Sequence, residues 1–213
     1  MKYGLALLLC LILSGKANAF CRTITPWVNV DTQTGTVRYI THLSKSEFLR
    51  NAPQKMSPNT LGLTVSKLGI TGSAEPEIQY LGSGSFCVQI KRMDLTIGYK
   101  TLDVYIDKKY KPGSCEYEVV KEHENYHVRV SQEAMMFFKQ DIEQALETAL
   151  SHIEPEYAYS SAQAQQIFNR QFNRVMREIQ PLIDHINNKI AEKNYIIDTP
   201  ESYAETTALC NNW

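Results

Sequence analysis

What the sequence lacks narrows its function first. Beyond an initial apolar stretch there is no second hydrophobic run that suggests a membrane span. Neither charge sign dominates: 22 Lys and Arg stand against 23 Asp and Glu, and the two are mixed along the chain. No basic stripe marks a nucleic-acid surface, so no nucleic-acid partner is expected. No two cysteines stand at C-x-x-C spacing, which argues against a zinc site made of thiolates. Gly82-Ser83-Gly84 is followed by neither a helix pattern nor a lysine, so it reads as a turn and not a phosphate loop. There is no internal repeat and no low-complexity segment.

What is present begins with an export signal. Lys2 supplies a positive start, Leu5 to Leu13 are almost uninterruptedly apolar, and Lys16-Ala17-Asn18-Ala19 ends in a small-x-small pattern. Residues 1–19 therefore read as a signal peptide cut after Ala19, with an apolar run too short for a permanent anchor. The expected destination is the periplasm or the medium. Residues 20–213 have the length of a single domain. Cys10 would leave with the signal, and Cys21, Cys87, Cys115 and Cys210 would stay. Four cysteines in an oxidising compartment imply two disulfides. Of the possible connectivities, Cys115–Cys210 with Cys21–Cys87 is favoured.

Periodicity divides the rest. Residues 27 to 110 read mostly as strands and turns, with candidates at Val37–His42, Leu61–Val65, Ile78–Leu81, Phe86–Ile90, Leu95–Tyr99 and Leu102–Ile106. Asp31 to Gly35 is turn-like, and Ser44 to Asn51 reads as a short helix. The alternation at 95, 97, 99 and again at 102, 104, 106 suggests two half-buried antiparallel strands. After Pro112 the period becomes helical. One helix is expected from about Cys115 to Ile153, allowing for an internal break, and a second from Ser160 or Ser161 to about Lys193. A last short helix starts at Thr199, with Pro200 at its first position. The expected fold is α+β: a small antiparallel sheet followed by a long antiparallel helical hairpin.

One pattern carries chemistry. His123-Glu124-Asn125-Tyr126-His127 is H-E-x-x-H within a helical segment. Residues i and i+4 share a helix face, so both imidazoles can reach one zinc ion through bonds of about 2.0–2.1 Å. Glu124 then faces the metal-bound water as general base. A catalytic zinc needs a third protein ligand. The metzincin spacing fails, because Val130 and Glu133 stand where Gly and His are required. If the two long helices pair antiparallel about Tyr157, the chain after Lys193 emerges beside the motif. That makes Glu201 the preferred third ligand, with Glu205, Tyr203, His185 and Asp184 open. Tyr203, Tyr126 and Arg129 are candidates to stabilise an oxyanion. His42 and His152 read as ordinary surface or core residues.

Gly113-Ser114-Cys115-x-Tyr117 followed by His123-Glu124-x-x-His127-Val128 resembles the core of predicted secreted zinc-dependent proteases, a zincin-like bacterial domain of unknown function. The resemblance spans roughly residues 85 to 205. It includes a strand pair, the motif helix, a second helix and a late Asp-containing segment, Ile197-Asp198-Thr199-Pro200-Glu201-Ser202-Tyr203. It implies His123 and His127 as metal ligands, Glu124 as the catalytic residue, and 20–213 as a zincin-like metallopeptidase domain. The expectation is an exported zinc-dependent metallopeptidase acting on a peptide or protein. The alternatives are a non-enzymatic exported module with a structural or vestigial metal site, or a helical hairpin that docks a partner.

Overall fold

A computed structural model of the chain describes residues 20–52 and 60–213. The expected signal peptide lies outside those residues. Among the described residues five strands form one sheet: β1 (Trp27–Gln33), β2 (Thr36–Ile40), β3 (Gly62–Gly82), β4 (Ser85–Ile106) and β5 (Glu156–Ala158). The helices are α1 (Lys45–Phe48), α2 (Cys115–Phe137), α3 (Lys139–Ser151), α4 (Ser161–Ile197) and α5 (Pro200–Ala208).

The sheet corrects the expected all-antiparallel one. It is built on β4, a 22-residue strand. On one side β1 and β2 run parallel to β4, beginning at Trp27↔Arg92 and Thr36↔Thr101. Short β5 joins them there antiparallel, against 86–88. On the other side β3 runs antiparallel along the whole of β4. With helices packed on it, the arrangement is α/β rather than a small antiparallel sheet ahead of a hairpin.

The misreading has a local cause. Leu95–Tyr99 and Leu102–Ile106 belong to one strand, not to two that pair. The register against β3 jumps between Ser66↔Leu102 and Leu68↔Tyr99. Such a bulge resets the two-residue phase. Leu95, Ile97 and Tyr99 therefore fill the same core as Leu102, Val104 and Ile106. β1 covers Asp31, which the sequence suggests is a turn. At the crossover between β1 and β2, Gly98 has φ of 144°, and a Cβ there would collide with Gln33. Only glycine lets the strands approach so closely.

The helices also depart from a simple hairpin. The expected single helix breaks at Phe138, and α3 and β5 intervene before α4. Each boundary has a chemical reason. Ser114 Oγ accepts the Tyr117 N–H, Ser160 Oγ accepts the Gln163 N–H, and Thr199 Oγ1 accepts the Ser202 N–H. On α4, Val175, Ile179, Ile183, Ile186 and Ile190 form the buried stripe that packs on the sheet core. Disulfides Cys21–Cys87 and Cys115–Cys210 are both present. The first ties the chain before β1 to β4. The second ties the start of α2 to the segment after α5. Two such bonds point to an oxidising, exported environment. Among the described residues no helix is long and apolar enough to cross a membrane.

Candidate metal centre

The burial pattern of α2 explains why a polar motif sits inside. Tyr117, Val120, Glu124, His127, Val128 and Ser131 are all buried and recur at three- and four-residue spacing. Glu124 and His127 therefore lie on the stripe that packs against the core, with Glu124 only 2 % exposed. His123 is one helical turn before His127, and its side chain is equally enclosed. The two rings meet edge to face, with centroids 5.2 Å apart.

Both imidazoles converge on one atom. His123 Nε2 and His127 Nε2 each lie 3.1 Å from Asp198 Oδ1. The Tyr203 hydroxyl donates to the same oxygen at 2.8 Å, and its ring stacks on His123 at 5.2 Å between centroids. His123, His127 and Asp198 offer ligand atoms all within 4.8 Å of one another, so this group could hold a metal ion. The donor set fits a divalent transition metal: two imidazole nitrogens and a carboxylate oxygen. His127 Nδ1 faces Asn194 Oδ1 at 3.0 Å. Donation of the Nδ1 hydrogen to that oxygen presents Nε2 to the centre.

Compared with family models, curated proteins and solved structures, the chain matched none.

Three elements build it. α2 supplies both histidines and Glu124. The link between α4 and α5 supplies Asp198, and α5 supplies Tyr203. The fourth side is the beginning of β3. Thr64 Oγ1 donates to Glu124 Oε2 at 2.8 Å. A Cβ on Gly62 would stand 2.7 Å from Glu124 Oε1, so glycine makes room for the carboxylate.

The electrostatics follow from this enclosure. Burial raises the Glu124 pKa above the ordinary glutamate value, against the nearby imidazoles and the Thr64 hydroxyl, which lower it. Burial opposes a charge on His127 too. There the Asp198 hydrogen bond and the charges of Glu124 and Asp198 win, and the pKa is pushed up to about 9. Asp198 is held well below the usual carboxylate range. Its own burial is outweighed by hydrogen bonds from His123, His127 and Tyr203. Burial first, then the Asp198 charge, raises the Tyr203 hydroxyl and keeps it protonated.

The other residues singled out from sequence fall elsewhere. Glu201 is exposed in the first turn of α5 and lies outside the His–Asp group; the acid that meets both imidazoles stands three residues earlier. Glu205, Asp184 and His185 are exposed, and Asp184 accepts from Gln180 at 2.8 Å. Tyr126 is exposed, and Arg129 pairs with Glu122 at 3.0 Å. His152 pairs with Glu178.

Asp198, Thr64, Gly62 and Asn194 are what the residue reading missed. For Asp198 a signal existed. An acid immediately before Thr199-Pro200 sits at the junction of two helices, where its position is fixed from both sides. Gly62 and Thr64 had none, because their role is set by how β3 packs against α2, with Thr64 and Glu124 60 residues apart.

Proposed function

We propose that the protein is an exported zinc-dependent peptidase that hydrolyses peptide bonds. The observation that carries this reading is the meeting of two Nε2 atoms with Asp198 Oδ1 beside a buried Glu124. The resemblance of the motif segment to secreted zinc-dependent proteases supports it. His123, His127 and Asp198 would hold the ion. Zinc, when bound, supplies Lewis acidity toward a carbonyl and acidifies a coordinated water.

The chain's own residues supply the rest. Glu124 takes a proton from the attacking water and delivers it to the departing amine, as the C–N bond breaks and the carbonyl carbon gains oxygen. Its raised pKa brings it nearer to the working range for that shuttle. Thr64 fixes one Glu124 oxygen, and Asn194 fixes the His127 ring. Tyr203, kept protonated, gives its hydrogen to Asp198 Oδ1 and so orients that carboxylate. β4 is paired on both sides over 95–98 and 102–105, so it offers a peptide no free edge there. Among the described residues the outer edge of β3 bears no strand, and β3 begins at the centre. An extended peptide adds there by main-chain hydrogen bonds.

Metal analysis of protein purified without a histidine tag is the first test, with one zinc per chain expected. Glu124→Gln should keep that zinc and lower peptide hydrolysis by roughly 10²–10⁴-fold. Undiminished hydrolysis in that variant would sink the mechanism. A closed, non-catalytic metal site is the competing reading, and Tyr203 favours it. Its hydroxyl stands on the shared Asp198 oxygen and could complete four protein ligands. X-ray absorption on the zinc-loaded protein separates the two. A coordinated solvent oxygen supports the peptidase, and a phenolate in its place supports the closed site.

A further inference from the structure

Among the described residues no strand pairs with the outer side of β3. Its register with β4 runs unbroken from Leu68↔Tyr99 to Glu75↔Arg92 and shifts at both ends of that stretch. Between the shifts the strand reads Leu68-Gly69-Ile70-Thr71-Gly72-Ser73-Ala74, without a charge or a proline. A sheet edge that stays single is normally blunted by lysine, proline or a bulge. Here the blunting residues stand only at the two ends, Lys67 before the stretch and Glu75 and Pro76 after it.

The side chains divide by face. Lys67, Gly69, Thr71, Ser73 and Glu75 are exposed, while Leu68, Ile70, Gly72 and Ala74 are half-buried toward the helices. There α4 lays Phe172 and Met176, themselves half-buried, over the edge strand. A Cβ on Gly72 would stand 2.9 Å from Met176 Sδ and 3.4 Å from Phe172 Cζ. Within the chain Arg92, across from Glu75, is paired with Asp94 at 2.7 Å.

This stretch is complementary to itself. Laid antiparallel on a second copy with Thr71 opposite Thr71, it sets Lys67 opposite Glu75 on the exposed face, twice by symmetry. On the helix face Leu68 falls opposite Ala74 and Ile70 opposite Gly72, so each large side chain meets a small one. The ends match as well. Ser66, where the register with β4 shifts, falls opposite Pro76, which has no N–H to donate. We propose that the protein forms a two-fold symmetric dimer in which β3 pairs with β3 of a second copy about Thr71, joining two sheets into one. The pairing brings Phe172 and Met176 of both copies together on one side of the joined sheet. The ladder ends before Gly62 and Thr64, so the start of β3 beside Glu124 lies outside it. The proposal does not depend on the peptidase reading.

Sedimentation velocity of the exported, disulfide-bonded protein over a concentration series is the test, and a concentration-dependent dimer is expected. Lys67→Glu sets like charges opposite one another and should weaken the dimer by roughly tenfold or more. Glu75→Lys should do the same with the opposite sign. Both positions are exposed, so circular dichroism of each variant should match wild type. Mixed in equal amounts, the two variants should form a heterodimer at a concentration where neither self-associates, because each acidic end then meets a basic one. A second probe fixes the register. Thr71→Cys should be joined to its own kind by a short thiol cross-linker, and Ser73→Cys should not, since its partner in this register is Gly69. A protein that stays monomeric throughout overturns the proposal. So does a dimer indifferent to both charge reversals, or cross-linking as strong through position 73 as through position 71.

Discussion

At the scale of single residues, the centre depends on atoms that are not ligands. Asn194 holds the His127 ring through Nδ1. On the proposed reading, Asn194→Ala should weaken zinc binding by about 10–100-fold while leaving the fold intact. Chelator competition with a chromogenic zinc indicator measures it. Gly62 is the second case. Gly62→Ala places a methyl 2.7 Å from the Glu124 carboxylate, so either the strand or the acid must move. Overpacking of this kind costs about 1–3 kcal/mol. Urea denaturation of the variant should show that loss; on the proposed reading, hydrolysis should also slow at unchanged zinc content. The pair His123 and His127 was legible from the sequence, because the 3.6-residue helical repeat fixes their spacing before any tertiary contact forms. Asp198 was not legible from its own residue pattern, since its distance to the histidines is decided by how α4 packs along α2. Glu201 looked equally suitable in one dimension and is exposed in three.

At the scale of elements, termini and bulges account for both successes and failures. Helix starts at Ser114, Ser160 and Thr199 carry explicit side-chain caps, so they could be read from short local patterns. Thr199→Ala should cost about 1 kcal/mol, seen as a lowered thermal midpoint. It should also loosen Asp198, the residue just before the cap. The short helix α1 offers a pH test. Glu47 bonds Ser44 through both its main-chain N–H and its hydroxyl and pairs with Lys108, and these hold its pKa at about 2. A carboxyl depressed in the folded state stabilises fully above its unfolded pKa of about 4.3. That contribution is lost as pH falls toward 2. Acid titration of wild type and Glu47→Gln should therefore converge below that pH, and diverge above it. The sheet was harder to read. A two-residue period shows that a segment is a strand, but neither its partner nor its direction. The bulge near Lys100 split one strand into two apparent ones, and the parallel pairing of β1 and β2 left no local trace.

At the scale of the whole molecule, the Cys115–Cys210 bond joins the first turn of the motif helix to the end of α5. It encloses a sequence separation of 95 residues. Replacing both cysteines by serine should destabilise the protein by about 2–4 kcal/mol. Because Tyr203 and the Asp198 link lie inside that closed segment, zinc affinity should fall in the same variant. Isothermal titration before and after mild reduction of wild type checks this independently. The placement of Asp198 has one more consequence. It lies 71 residues beyond His127, and a polypeptide is made from its N-terminus. Between the making of His127 and that of Asp198 the paired imidazoles exist without their acidic partner, and a chain truncated in that interval carries an incomplete set of donors. On the proposed reading, hydrolytic power arises only after Asp198 has been made and brought against α2.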